Sequence, residues 1–198
     1  SPTGYEQGFI RFSADEGRTW SPATRVPEWH AVSEVALLRA KNGKLVGACR
    51  TDMARQYLGN IDHYEGLGVS ISGDDGRTWS DLQFLYLAGR HHANLQRLGN
   101  GDLVCTLIVR TDIRPPEPGP GPLTSPRRGC DAVVSHDHGR TWNLDRRYEL
   151  DAYEYLRADG YWVDGVCGHL ASAALPDGQI LTVYGSYRVG AVLIKWRP

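Results

Sequence analysis

One octapeptide pattern constrains this chain more than any other feature. Ser13-Ala14-Asp15-Glu16-Gly17-Arg18-Thr19-Trp20 returns as Ser72-Gly73-Asp74-Asp75-Gly76-Arg77-Thr78-Trp79 and again as Ser135-His136-Asp137-His138-Gly139-Arg140-Thr141-Trp142. The second copy starts 59 residues after the first and the third 63 after the second. Self-similarity at a period near 60 residues means that one supersecondary unit is used repeatedly. Within each copy an Asp followed by Gly suits a tight turn: the carboxylate accepts backbone N–H groups and the glycine takes positive φ. The closing Trp is then placed to bury a large apolar surface against a neighbouring sheet. Alternating apolar residues lead into each copy: Phe9, Ile10 and Phe12; Leu67, Val69 and Ile71; Ala132, Val133 and Val134. They predict strands entering a hairpin.

A second unit alternates with the first. Val35 to Cys49 reads as two strands around Asn42-Gly43. Asn94 to Leu107 does the same around Asn100-Gly101, and Leu170 to Val183 around Asp177-Gly178. Asn-Gly and Asp-Gly between apolar runs predict two-residue hairpin loops. The full repeat is strand, turn, strand, strand, octapeptide turn, strand. Four antiparallel strands in about 60 residues describe a propeller blade. The expected fold class is therefore all-β, with an outer hairpin at 8–25, complete four-stranded blades at 33–85 and 91–150, and a last partial blade at 166–198. The Pro- and Gly-rich stretch from Ile113 to Pro126 predicts an inserted rim loop.

Composition narrows the partners. Lys and Arg number 22 against 23 Asp and Glu. A net charge of -1 gives no basis for nucleic acid or an acidic membrane surface as a partner. No apolar run reaches the roughly 20 residues of a membrane-spanning helix, and the first residues have no signal-peptide character, so compartment stays unassigned. Cys49, Cys105, Cys130 and Cys167 form no CxxC pair and have no His at zinc-finger spacing, so buried free thiols are expected and no metal or other cofactor is called for.

Three octapeptide turns of the Asp-box type, set in blades of this kind, resemble the sialidase (neuraminidase) superfamily over essentially the whole chain. The match is to the C-terminal half of those six-bladed propellers: two complete blades plus two partial ones. A ring would be closed by an N-terminal half or by a second copy whose first hairpin completes the last blade. The Asp boxes themselves (Asp15 and Trp20, Asp74 and Trp79, Asp137 and Trp142) are structural and also occur in unrelated receptors and assembly factors.

The resemblance implies a carbohydrate site on the innermost strands. Nine residues before each turn glycine stand Glu34, His92 and His169, all at the start of an inner strand facing the central channel. Glu34 and Arg50 match the family's Glu that activates the nucleophile and the Arg that closes the next strand. Arg127 or Arg128 matches a further family Arg. Arginine forks suit the carboxylate of a sialic acid. The implied activity is hydrolysis of a terminal sialic acid or related acidic sugar, or binding of such a sugar without turnover. His92 joins the substrate-binding set and His169 the catalytic one, because His169 stands where the family carries its nucleophilic Tyr. Tyr153, Tyr155, Tyr161 and Tyr184 are the tyrosines near enough in sequence to substitute. The family's first Arg and its Asp acid fall outside these residues. Trp29 and Trp162 are candidates for stacking on sugar rings, and His136 and His138 are expected to be exposed.

Overall fold

The computed structural model describes residues 6–52, 65–110, 127–155, 167–186 and 189–198. Thirteen strands form four antiparallel sheets in chain order. The first pairs β1 (Gln7–Ile10) with β2 (Thr24–His30). The second runs β3 (Val32–Arg39), β4 (Leu45–Thr51), β5 (Gly66–Ser72) and β6 (Gln83–Tyr86) from inside to outside. The third repeats that order with β7 (Arg90–Arg97), β8 (Leu103–Val109), β9 (Arg127–Ser135) and β10 (Tyr148–Glu154). The last holds β11 (Cys167–Ala174), β12 (Ile180–Ser186) and β13 (Gly190–Trp196). The predicted loop 113–126, Tyr161 and Trp162 lie outside the described residues.

Sheet stacking follows from the side-chain pattern. Every residue of β8 is buried, because this strand is the middle of a sheet covered on both faces. Leu103, Cys105, Leu107 and Val109 join a core with Val46, Leu67 and Val69 of the second sheet. Val104 and Ile108 point the other way, into clusters with Ile180 and with Cys167 and Tyr184 of the last sheet. The first hairpin packs on the second sheet through Val26, Trp29, Cys49 and Trp79. The first strands β3, β7 and β11 lie beside one another, which makes them the innermost strands of a partial propeller. By contrast β13 alternates exposed and half-buried residues, with Leu193 64% exposed, because nothing covers its outer face.

The short turns differ from the two-residue loops expected. Ala40 N donates to Lys44 O and Gly43 N to Ala40 O, so the loop has three residues, Lys41-Asn42-Gly43. Only the glycine has positive φ, 86°, which is a type I turn closed by a glycine bulge rather than a mirror-image two-residue turn. Leu98 with Asp102 and Leu175 with Gln179 repeat it.

The Asp boxes share one hydrogen-bond plan. Asp74 Oδ1 accepts the backbone N–H of Thr78 at 2.9 Å and Oδ2 its hydroxyl at 2.6 Å. Ser72 Oγ donates to Asp74 and accepts from Gly76 N, and Trp79 Nε1 donates to Gly76 O. Asp15 and Asp137 make the same bonds to Thr19 and Thr141. The second and third boxes pack on the sheet before them: Trp79 lies 4.6 Å from Trp29 between ring centres, and Trp142 sits in the core shared with Val46. Trp20 meets no earlier sheet among the described residues and is 55% exposed, a departure from the burial expected of all three.

Among the described residues the last sheet holds three strands and the first two. All four cysteines are free and buried, and burial pushes the Cys49 and Cys105 thiols up to about 12.

Candidate functional site

Each inner strand opens with an irregularity at the same height. Pairing slips between Val32 and Val35 in β3, between His91 and Asn94 in β7, and between Gly168 and Ala171 in β11. An inserted residue in one strand re-aims neighbouring side chains, which is why bulges collect at sites. His92 and His169 take φ of 49° and 52°, and Ala31 just ahead of β3 takes 59°. Such conformations cost of order 1–3 kcal/mol outside glycine and persist where the surroundings enforce them.

These openings surround a shallow pocket of about 400 Å³ whose polar groups come from Glu34, His92, Asn94 and His169. Glu34 is gripped on both oxygens: Arg50 Nη1 donates to Oε1 at 2.9 Å, and His92 Nδ1 stands 2.6 Å from Oε2. Arg50 Nη1 also lies 3.4 Å from His92 Nε2, closing a ring of three side chains. An ionised carboxylate only accepts, so Nδ1 carries the proton facing Glu34. Half-burial pushes the Glu34 carboxyl up, but the His92 hydrogen bond and the His92 and Arg50 charges outweigh it, leaving it below the usual range. The other side of the Arg50 fork, Nε and Nη2, is taken by Glu65, which is 7% exposed at the foot of β5. Arg50 therefore spends its guanidinium on two protein carboxylates. His169 faces His92 across the pocket with ring centres 6.4 Å apart, and no hydrogen-bond partner for its ring occurs among the described residues.

The remaining predicted arginines open β9, the third strand from the centre of its sheet. Arg127 holds the fully buried Asp131 through both η nitrogens, at 2.5 and 3.2 Å, and Glu149 at 3.0 Å. Asp131 is shared with Arg90 and Arg147. Arg128 is 3% exposed, donates to Arg127 O and points toward Cys167 and Tyr153. Arg127 thus ties strands within its own sheet, Arg128 lies toward the last sheet, and neither lines the pocket.

Among the described residues no tyrosine lines the pocket. Tyr184 is fully buried and donates to Asp151 Oδ2 at 2.5 Å; burial and that hydrogen bond raise its phenol, the opposite of activation. Burial likewise raises Tyr153. Trp29, open from sequence between stacking on a sugar and burial as a core aromatic, is 3% exposed inside the first inter-sheet core. His136 is exposed as expected and paired with Asp102 at 3.0 Å, while His138 is half-buried because the third box seats on the second sheet. One site residue escapes the sequence pattern, Glu65, which the Thr51–Gly66 pairing brings to Arg50. His91, a weaker candidate from sequence alongside His92, is turned beside it by the bulge, ring centres 4.6 Å apart.

The BNR/Asp-box repeat family model matches residues 133–144, the third box and its leading strand. No curated protein matches the chain in sequence. Solved structures align over nearly all of it. An α-L-arabinanase from Penicillium chrysogenum, solved with arabinobiose, superposes with a TM-score of 0.63 at 18% identity, over 94% of this chain and 51% of its own. A protein of unknown function from Dyadobacter fermentans gives 0.62 at 17%, over 96% and 48%. The Hadza microbial sialidase Hz136 gives 0.61 at 16%, over 96% and 38%. The fold is that of an Asp-box β-propeller. This Asp-box propeller chain spans about half the length, or less, of the proteins it resembles. The neighbours include glycoside hydrolases of two substrate types, so the likeness carries the fold, and the chemistry has to be argued from the pocket.

Proposed function

We propose that the pocket belongs to an exo-glycosidase of the sialidase type that removes a terminal sialic acid or a related acidic sugar. The observation that carries the reading is the fixing of Glu34 as a carboxylate by His92 and Arg50 at the edge of a pocket shared with His169. Glycoside cleavage passes through an oxocarbenium-like transition state. A pinned carboxylate stabilises that developing positive charge without reorganising during the reaction. With no tyrosine in the described lining, water is the proposed nucleophile and His169 the group that takes its proton. The acidic character of the sugar rests on the superfamily resemblance, because the Arg50 fork is already held by Glu34 and Glu65 and no arginine lines the pocket among the described residues. The acid for the leaving oxygen is expected from outside these residues, as the superfamily resemblance implies.

Turnover of a fluorogenic panel (a sialoside, a uronide and an arabinofuranoside) tests the reading. Glu34→Gln should lower kcat/KM on the acidic substrate by about 10²–10⁴-fold. Unchanged turnover in that variant removes Glu34 from the mechanism, and preference for the arabinofuranoside removes the acidic substrate. A binding-only propeller is favoured by one observation, that no tyrosine lines the pocket among the described residues. It predicts saturable sugar binding with no cleavage of any of the three.

A further inference from the structure

We infer that Glu34, His91 and His92 form a binding site for a divalent transition-metal ion of the zinc or cobalt type. One ligand atom from each of the three lies within 4.8 Å of the others. The local backbone explains the convergence. Adjacent residues of a regular strand point to opposite faces, yet the bulge in β7 and the φ of 49° at His92 bring the His91 and His92 rings to 4.6 Å. β3 delivers Glu34 from the neighbouring sheet, and the pocket leaves room for a further ligand.

Charge and supporting contacts fit a cation. Glu34 and Glu65 both hold Arg50, so its cation already meets two carboxylates beside the imidazoles. Arg50 holds Glu34 through Oε1, so Oε2 can ligate while its partner stays oriented, the usual arrangement around a metal-bound carboxylate. His91 is fully buried and therefore fixed in place. Two imidazoles and one carboxylate select zinc, cobalt or nickel over calcium or magnesium. Three protein ligands with an open fourth position is the stoichiometry of reactive rather than structural zinc sites.

Binding requires a defined movement. Tetrahedral ligands with bonds of about 2.0–2.1 Å stand about 3.4 Å apart, whereas Glu34 Oε2 and His92 Nδ1 are 2.6 Å apart. The ion takes the place of the proton between them, and that proton moves to His92 Nε2, which must turn from Arg50 Nη1, 3.4 Å away. Because the ion takes Glu34, metal-bound and hydrolytic forms exclude one another. On the proposed function, metal inhibits turnover; the binding itself does not depend on that proposal.

Titration of the 198-residue chain with Co²⁺, read by visible absorption and by calorimetry, tests the site. The expected result is one ion per chain with the absorption bands of a nitrogen- and oxygen-ligated low-coordinate cobalt, displaced by Zn²⁺ and unaffected by Mg²⁺. Loss of even a supporting partner costs about 10–100-fold in affinity, so Glu34→Gln and His92→Ala should each weaken binding by at least about 100-fold. His136→Ala, at the exposed pair with Asp102, should leave it unchanged. His91 lies in the core, so heat denaturation of the unsubstituted chain replaces its truncation: Zn²⁺ should raise Tm. The proposal is overturned by no saturable cobalt binding, by equal affinity in the Glu34 and His92 variants, or by binding lost with His136. A sialidase-type turnover measured alongside stands or falls on its own assay.

Discussion

The rim hairpins and the openings of the inner strands recur at equivalent places in successive sheets, yet they use repetition in opposite ways. At the rim the residues are the same and so are their bonds: Asp15, Asp74 and Asp137 each hold the backbone and hydroxyl of a Thr four residues on. At the centre the backbone irregularity repeats while the residues change, from Glu34 to His92 to His169. Identical residues repeated around a ring serve a need that every blade shares, the seating of one sheet on the next. Different residues delivered to one cavity by one backbone device make an asymmetric set of charges and donors, as recognition of a small asymmetric molecule requires. The comparison separates what folds this chain from what the pocket does.

The sharpest way to test the rim half is through tryptophan. Trp142 is 8% exposed in the core between the second and third sheets, whereas Trp20 is 55% exposed with no sheet before it among the described residues. Trp142→Ala should cost about 3–5 kcal/mol in urea unfolding, as truncation of a large core aromatic does. Trp20→Ala, which loses chiefly its hydrogen bond to Gly17 O, should cost about 1 kcal/mol or less. Equal costs would mean that the box acts through its own turn rather than through packing between sheets.

A smaller effect follows from the box carboxylates. Hydrogen bonds from the Thr hydroxyl, the Thr N–H and the preceding Ser hold Asp15 and Asp74 down to about 2. For Asp137 burial pushes up, but the Thr141 and Ser135 bonds prevail and it too is lowered. A carboxyl more acidic in the folded than the unfolded chain stabilises the fold fully above its unfolded value, about 3.9. That contribution fades as pH falls from there through about 2 for Asp15 and Asp74. Urea midpoints measured from pH 5 down to pH 2 should therefore fall, and Asp74→Asn should make the fall shallower while lowering the midpoint at pH 7. A slope identical to that of the parent chain would show that the Asp74 proton is not linked to folding.

The same division explains how much could be read from sequence. The boxes and the Asn-Gly and Asp-Gly turns are local in sequence, so their periodicity gives the sheet order directly. Counting back from Gly43, Gly101 and Gly178 finds Glu34, His92 and His169 because the regular pairing between turn and bulge is nearly constant, four pairs in β7 and β11 and five in β3. Glu65 is different: it precedes a strand by one residue, 15 positions from Arg50, and only the β4–β5 register brings them together. His91 is only a weaker candidate from sequence, for another reason. Strict alternation would aim it away from His92, and a bulge breaks alternation without leaving a sequence mark as clear as glycine. Arg127 and Arg128 show the converse failure, since adjacent arginines on a strand point to opposite faces of the sheet, where one meets Asp131 and the other lies toward Cys167 and Tyr153. Proximity to a motif does not say which face a side chain takes.

The smallest stability effect belongs to the centre, and it tests the other half of the comparison. His169 sits at φ 52°, in the left-handed region that asparagine tolerates better than most residues. Its ring makes no hydrogen bond to the described residues and faces the pocket. His169→Asn keeps a polar side chain of smaller size on an unchanged backbone, so its unfolding free energy should stay within about 0.5 kcal/mol of the parent. Turnover of the acidic glycoside should fall nonetheless, because an amide cannot take a proton from water near neutral pH. A variant that unfolds readily would assign His169 to the fold, like the box residues. One that folds and turns over normally would leave the bulge in β11 as a feature of propeller geometry and move the search for the base to Glu34. Only stability kept with activity lost supports the view that the rim repeats for packing and the centre varies for chemistry.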